Sequence, residues 1–256
     1  VNDIRTFVEH PADPAEGRLH IHTAALRKIR IVSQIDDAHY IYMSFRIYHE
    51  RKNSKKFRGI VRNLIVSYIC RINDKDMLVV LEGLDGAGKS TQVKKLRNYL
   101  ESVFGTLEYI HFPRYDAPVY GDLISRFLRG DFGSNEAVHP QLVALLFAED
   151  RHGAAPGMKE ILNAGGHVLL DRYVYSNIAY QCAKVADDTE AERLRDWIFN
   201  TEYGDFSLPV PDLNIFLDVP IGFVETKLKS QRGGADRDYL EGGQDIHEAD
   251  IEFQKR

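Results

Sequence analysis

The chain has 256 residues, of which 44% are hydrophobic and 28% charged, with a net charge of −5 and two cysteines. It is long enough to bury a sizeable core in one or two domains. Its composition excludes a disulfide-built scaffold and, lacking any apolar run of spanning length, a transmembrane helix.

The charge is uneven: residues 1–76 carry +5 and residues 77–256 carry −10. So acidic a body argues against a general nucleic-acid binder, which needs a broad basic face. It suits an enzyme for small anions, with its arginines gathered in one site.

Residues 1–26 are polar and proline-containing, without a sustained period and without the look of a secretory leader. Ile29, Ile31 and Ile35 alternate with polar residues. Ile41, Met43, Phe45 and Ile47 alternate strictly with Tyr40, Tyr42, Ser44, Arg46 and Tyr48, which predicts a strand. A basic turn follows over 50–59, then an apolar-basic segment over 60–72. Asn73-Asp74-Lys75-Asp76 breaks the pattern, and a boundary is placed there. Residues 1–76 are thus expected to be an N-terminal extension of unknown role, either small and β-rich or disordered. His10, His20, His22, His39 and His49 lack metal-ligand spacing and are read as surface residues. Cys70 and Cys182 stand alone and form no metal or redox motif, as ordinary thiols in a reducing cytosol would.

Residues 77–91, Met-Leu-Val-Val-Leu-Glu-Gly-Leu-Asp-Gly-Ala-Gly-Lys-Ser-Thr, contain the phosphate-loop pattern G-x-x-x-x-G-K-[ST] at Gly83, Gly88, Lys89 and Ser90. Leu78 to Leu81 is the short apolar run of a buried strand. The loop Gly83-Leu84-Asp85-Gly86-Ala87-Gly88 can turn its backbone N–H groups around phosphate oxygens. Val93, Leu96 and Leu100 then recur at helical spacing, so that Lys89, Ser90 and Thr91 open a helix whose N-terminus faces the anion. Lys89 is expected on the β- and γ-phosphates and the Ser90 hydroxyl on Mg²⁺.

Beyond the loop, strands are expected at 107–112, 167–171 and 213–219. Helices are expected at 119–129, 140–151, 155–163, 174–184, 191–200 and 221–229, with Gly165-Gly166 as a stop. This alternation predicts a mainly parallel sheet covered on both faces, with ligands at the carboxyl ends of its strands. Asp171, ending an apolar strand, is placed to hold Mg²⁺ or its waters. Arg114 and Arg172 also stand at strand ends. Two guanidinium forks facing a phosphate loop suggest a second, phosphate-bearing substrate.

Phe-Pro-Arg at 112–114, Asp-Arg-Tyr at 171–173 and Glu-Gly-Leu-Asp-Gly-Ala-Gly-Lys-Ser-Thr at 82–91 together resemble the thymidylate kinase family, in its bacterial type, over about residues 77–256. The resemblance implies a P-loop NTPase of the nucleoside-monophosphate kinase-like class: a three-layer sandwich that phosphorylates dTMP to dTDP with ATP and Mg²⁺. It implies that Arg114 helps hold the acceptor phosphate and that Arg172 binds it. Phe147 would stack on thymine and Arg151 would reach its exocyclic oxygen. Tyr180 would crowd the sugar 2′ position, and Gln181 would approach the base edge. Asp85 would lie near the acceptor or the metal. From the residues alone, Phe147 reads equally as core beside Leu142, Leu145 and Leu146, and Tyr180 as a packing tyrosine.

The phosphate loop carries no arginine at 85–88, so the charge on the moving phosphoryl group is assigned to Arg232 or Arg237. Both lie in the glycine-rich segment 231–238, which reads as a lid. Asp245-Ile246-His247-Glu248 resembles the family segment that opens a helix after the lid. The family normally continues for further helices, so the domain is expected to be C-terminally incomplete. A homodimer is implied by the resemblance; no nucleic acid or membrane partner is expected, and the location is expected to be cytoplasmic. The rival readings are another nucleoside-monophosphate or deoxynucleoside kinase, a nucleotide-dependent switch (disfavoured because no Asn-Lys-x-Asp guanine-reading motif is present), and a vestigial nucleotide-binding protein.

Overall fold

The computed structural model describes residues 29–35, 38–46, 76–230, 240 and 245–255. The expected turn at 50–59, the segment 60–72, the polar stretch 1–26, Cys70 and the lid arginines Arg232 and Arg237 lie outside the described residues.

Six strands form one sheet: β1 (Ile29–Ile35), β2 (Ala38–Arg46), β3 (Met77–Glu82), β4 (Leu107–His111), β5 (His167–Asp171) and β6 (Leu213–Asp218). Their order across the sheet is β1-β2-β6-β3-β5-β4. The β3, β4, β5 and β6 strands run parallel, β2 runs parallel to β6 with Ile41 opposite Leu213, and β1 pairs antiparallel with β2. The alternating stretch read in the sequence is therefore a strand, and it extends the same sheet that carries the phosphate loop.

β3 explains why the sheet is covered on both sides. Every one of its residues is buried. Met77, Val79 and Leu81 pack with Val93 and Leu100 of α1 (Lys89–Phe104) and with Val224 of α6 (Ile221–Ser230). Leu78 and Val80 point the other way. They pack with Ala144 and Met158 of α3 (Pro140–Asn163), Val174 of α4 (Val174–Cys182) and Ile198 of α5 (Asp188–Phe199). A strand buried on both faces needs apolar residues at both parities, which is why its sequence is a continuous apolar run rather than an alternation. A smaller cluster, Ile124, Phe127 and Leu128 of α2 (Tyr120–Leu128) with Val143, closes one end.

The two helices expected over 140–151 and 155–163 are one. Helix α3 runs unbroken for 24 residues with Pro156 inside it. Pro156 removes one backbone donor and would ordinarily break the helix. Ala154, Ala155 and Met158 around it are buried against the sheet, and this tertiary packing outweighs the local preference. Helix α5 likewise continues past its expected end as a π-helical turn, Asn200–Asp205.

The chain passes from β3 to β4 on one side, beyond β5, and the connection from β5 then crosses β3 to reach β6 on the other. That opens a crevice at its carboxyl end. Gly121, in the first turn of α2, lets the chain after β4 pass close by: a Cβ there would lie 2.4 Å from the Tyr115 carbonyl oxygen and 2.7 Å from that of Arg114. Gly121→Ala should therefore destabilise the protein by about 1–3 kcal/mol, as overpacking does. Urea unfolding would show the loss as a lower midpoint, and an unchanged midpoint would contradict the close approach.

Candidate active site

The crevice is a cleft of about 600 Å³. Its walls include Asp85, Gly86, Ala87, Gly88, Lys89, Ser90 and Thr91 from the phosphate loop and the start of α1. They also include Phe147 and Arg151 from α3, Asp171 and Arg172 at the end of β5, and Asn177, Tyr180 and Gln181 from α4. Residues read separately from the sequence thus meet around one space. Among the described site residues Gly83, Leu84 and Arg114 do not line it. Arg114 lines a neighbouring groove that shares His111, Pro113 and Tyr115 with the cleft.

The phosphate loop has the geometry that its glycines allow. Gly86 and Gly88 take φ values of 72° and 87°, a region that side-chain-bearing residues rarely adopt. Gly88 ends the loop as the N-cap of α1, and no side chain caps that helix. Its first N–H groups are therefore the donors a phosphate would use. The Lys89 ammonium donates to the loop's own carbonyls, Gly83 at 3.0 Å and Leu84 at 2.9 Å.

Asp85 is the electrostatic hub. Its carboxylate accepts hydrogen bonds from Arg172 Nη2 and from the Tyr180 hydroxyl, and Lys89 Nζ lies 3.8 Å away. Burial alone would raise this carboxyl group. Arg172, Lys89 and the Tyr180 hydrogen bond outweigh it and hold Asp85 well below the usual carboxylate range. Lys89 moves the opposite way. Burial and the nearby Arg172 pull its ammonium down to about 8, against the support of Asp85, Asp171 and Glu82. Arg172 also donates to the Gly83 carbonyl and to Ser176 Oγ, both at 3.1 Å, so it ties the end of β5 to the loop after β3.

Sequence reading missed the carboxylates behind these cations. Glu82, the last residue of β3, is buried and accepts from the Tyr173 and Ser176 backbone N–H groups and from Ser176 Oγ. Asp150, fully buried, takes the Arg114 backbone N–H and Nε at 2.9 Å each, while its carbonyl takes Nη2 at 2.6 Å. Glu202, in the π-helical turn, takes two N–H groups of Arg151. A signal was present for the last. Leu194, Ile198 and Glu202 recur every four residues, so a carboxylate sits on a core stripe, and a carboxylate there needs a partner.

The Asp171 carboxylate is buried in the cleft wall, and its Oδ1 has no hydrogen-bond partner among the described residues. An unpaired anionic oxygen beside a phosphate loop is what a hard divalent cation requires, and the Ser90 hydroxyl opens on the same cleft. These residues fit Mg²⁺ held jointly with phosphate oxygens.

The segment from Asp245 onward forms another wall. α7 (Ile246–Ala249) and α8 (Ile251–Lys255) follow Asp245, whose side chain accepts the His247 and Glu248 N–H groups, as expected for a helix start. His247 packs against Tyr180 with ring centroids 4.9 Å apart, against Phe253 at 5.3 Å and against Phe127 at 5.6 Å, and its Nε2 pairs with Asn135 Oδ1.

Comparison with known proteins agrees with this geometry. The sequence profile of the thymidylate kinase family matches residues 81–248. The chain belongs to the thymidylate kinase family. It is 35% identical to the thymidylate kinase of Mycobacterium tuberculosis over 180 residues, which cover 70% of this chain and 81% of that one. It is 36% identical to human thymidylate kinase over 144 residues, 56% of this chain and 61% of that one. The solved thymidylate kinase from Candida albicans superposes with a TM-score of 0.50 at 30% identity, covering 71% of this chain and 74% of that one. No helix among the described residues is long and apolar enough to cross a membrane.

The buried histidine has a consequence for acid stability. Burial, with Lys184 and Arg172 nearby, pushes the His247 imidazole down to about 3. The unfolded chain therefore takes up a proton near pH 6.5 that the folded chain refuses until about pH 3, so stability falls as pH drops through that window. His247→Phe keeps the ring packing and removes the titration. Urea unfolding between pH 7 and pH 4 should show a shallower loss in the variant than in the parent, and parallel curves would contradict a neutral buried His247.

Proposed function

We propose that the chain transfers the γ-phosphoryl group of ATP to the phosphate of dTMP, giving dTDP and ADP. The observation that carries this reading is the meeting of the phosphate loop with Arg172, Phe147, Arg151 and Tyr180 around one cleft. The loop and the start of α1 serve the ATP phosphates. Arg172, already part of the Asp85 network, serves the acceptor phosphate. Phe147, Arg151, Tyr180 and Gln181 form the remaining wall, where the thymidine moiety fits.

The acceptor is an oxygen that is already anionic, so no strong base is required. Catalysis is mostly positioning and charge neutralisation. Lys89 and Arg172 can each exchange a carbonyl or carboxylate partner within the loop for a phosphate oxygen. Those partners are the Gly83 and Leu84 carbonyls for Lys89 and the Gly83 carbonyl and Asp85 carboxylate for Arg172. Arg114, tethered to Asp150, supports the acceptor phosphate from the neighbouring groove. Ser90 and Asp171 would hold Mg²⁺, whose charge would be shared with the phosphate oxygens. Because the phosphate loop carries no arginine at 85–88, Arg232 or Arg237 supplies the remaining charge from the lid. The likeness to the family also supports a homodimer acting in the cytoplasm. Residues 77–256 form the kinase-like domain and carry every site residue named above, with residues 1–76 as an N-terminal extension of unknown role.

An ADP-release assay with ATP and Mg²⁺ tests the reading, with dTMP, dUMP, dCMP, AMP and thymidine as acceptors. Turnover with dTMP should exceed that with every other acceptor, thymidine least of all being used. In the same assay, alanine at Arg232 or Arg237 should lower kcat far more than it weakens dTMP. Preference for thymidine would point instead to a nucleoside kinase. No turnover from folded protein would point to a vestigial fold.

A further inference from the structure

Arg151 and Asn177 both face the cleft, yet neither is held by the elements that carry it. Both converge on Glu202, which lies behind the cleft wall and does not line it. Arg151 Nε donates to Glu202 Oε2 at 2.5 Å, and Nη2 donates to Oε1 at 2.7 Å. The same Oε1 accepts from Asn177 Nδ2 at 2.8 Å, and that nitrogen also donates to the Ala144 carbonyl at 3.0 Å. Arg151 and Glu202 side chains are 3% and 0% exposed, so water cannot substitute for either partner.

Two consequences follow for what the cleft presents. The bidentate pair occupies the Nε–Nη2 edge of the guanidinium and leaves Arg151 Nη1 as its one nitrogen without an acceptor among the described residues. The Asn177 amide is oriented as well. Its nitrogen sits between two acceptors, so its oxygen must be the other end, and Oδ1 is buried and unpartnered. Donor and acceptor character is thereby set at neighbouring points of the wall by a single carboxylate. A thymine edge carries carbonyl acceptors beside an N–H donor, whereas a cytosine edge carries an amino donor beside an acceptor nitrogen. A wall of fixed polarity can tell these apart, while a freely rotating amide or guanidinium cannot.

We propose that Glu202 is a positioning residue for acceptor-base selectivity: it clamps the Arg151 fork and the Asn177 amide so that the cleft offers one donor and one acceptor in fixed places. The inference rests on the dTMP reading of the cleft. The π-helical turn Asn200–Asp205 delivers Glu202 to that position, directly after the buried Leu194–Ile198 stripe of α5. Such turns are often found at functional sites.

The experiment is steady-state kinetics with dTMP and dCMP for the parent, Glu202→Gln, Glu202→Asp and Arg151→Met, and for Arg151→Met combined with Glu202→Gln, each checked by thermal melting. Glu202→Gln replaces one acceptor with a donor, and Glu202→Asp withdraws the charge by one methylene. Either should raise the dTMP KM by roughly tenfold and lower the dTMP-over-dCMP ratio of kcat/KM by a similar factor, with kcat and the ATP KM much less affected. In the Arg151→Met background, Glu202→Gln should cost less selectivity than it does in the parent, the remaining loss being the share that Glu202 exerts through Asn177. Should Glu202→Gln fail to fold, Glu202→Asp carries the test, since it keeps the charge. Folded variants that keep the parent's selectivity while melting earlier would overturn the proposal and leave Glu202 a purely structural partner. A parent enzyme that does not prefer dTMP would instead remove the reading of the cleft, and this inference with it. A selective parent with unaffected variants would remove this inference alone.

Discussion

The half-buried contact between Asp85 and Arg172 is the constraint on which the rest of the site depends. It joins the loop after β3 to the chain after β5, two segments far apart in sequence and adjacent in the sheet. Arg172 then reaches the Gly83 carbonyl and Ser176, while Asp85 takes the Tyr180 hydroxyl and lies beside Lys89. A buried carboxylate is costly unless paired, and so is a buried guanidinium. Each is tolerated because the other is there. The pair holds the phosphate loop open with its cations already desolvated, where their attraction for a phosphate is strongest.

The same arrangement recurs around the cleft and in the groove beside it. Arg172 is backed by Asp85, Arg114 by Asp150 and Arg151 by Glu202. Each arginine is thereby held with part of its fork already committed, so binding a ligand there would cost less side-chain freedom. The backing carboxylates stand on three different elements: the phosphate loop, the middle of α3 and the turn after α5. Misplacing any of these elements misdirects a cation. This ties the fold's packing to the chemistry, since Asp150 is set by the buried face of α3 and Glu202 by that of α5.

Much of this was legible in the sequence because it is local. The phosphate loop needs its glycines at fixed offsets, and strand β3 needs an unbroken apolar run. Lys89 follows from its fixed offset in the loop, and Asp171 and Arg172 from their places at a strand end. What was not legible depended on distance in the chain. The continuity of α3 through Pro156 is decided by burial against the sheet, not by the local preference that suggested a break. Asp150 stood in a motif as the neighbour of Arg151, but nothing local says that it faces Arg114. Glu82 was visible only as the last residue before the loop, and its role as acceptor for Tyr173 and Ser176 requires the β3–β5 pairing. Asn177 drew no attention because an asparagine on a short helix is ordinary until its partner, 25 residues away, is known.

The measurement that tests the account most directly is the steady-state kinetics of Asp85→Asn with dTMP and ATP, across pH 6 to 9, on protein verified as folded. If Asp85 is the counterion that holds Arg172 and supports the Lys89 charge, kcat/KM for dTMP should fall by about tenfold or more. The Lys89 ionisation, near 8 in the parent, should also move to lower pH. A folded Asp85→Asn protein with parental kcat/KM and an unshifted pH profile would contradict the account, and would mean that the site's cations are held in place by something other than this pair.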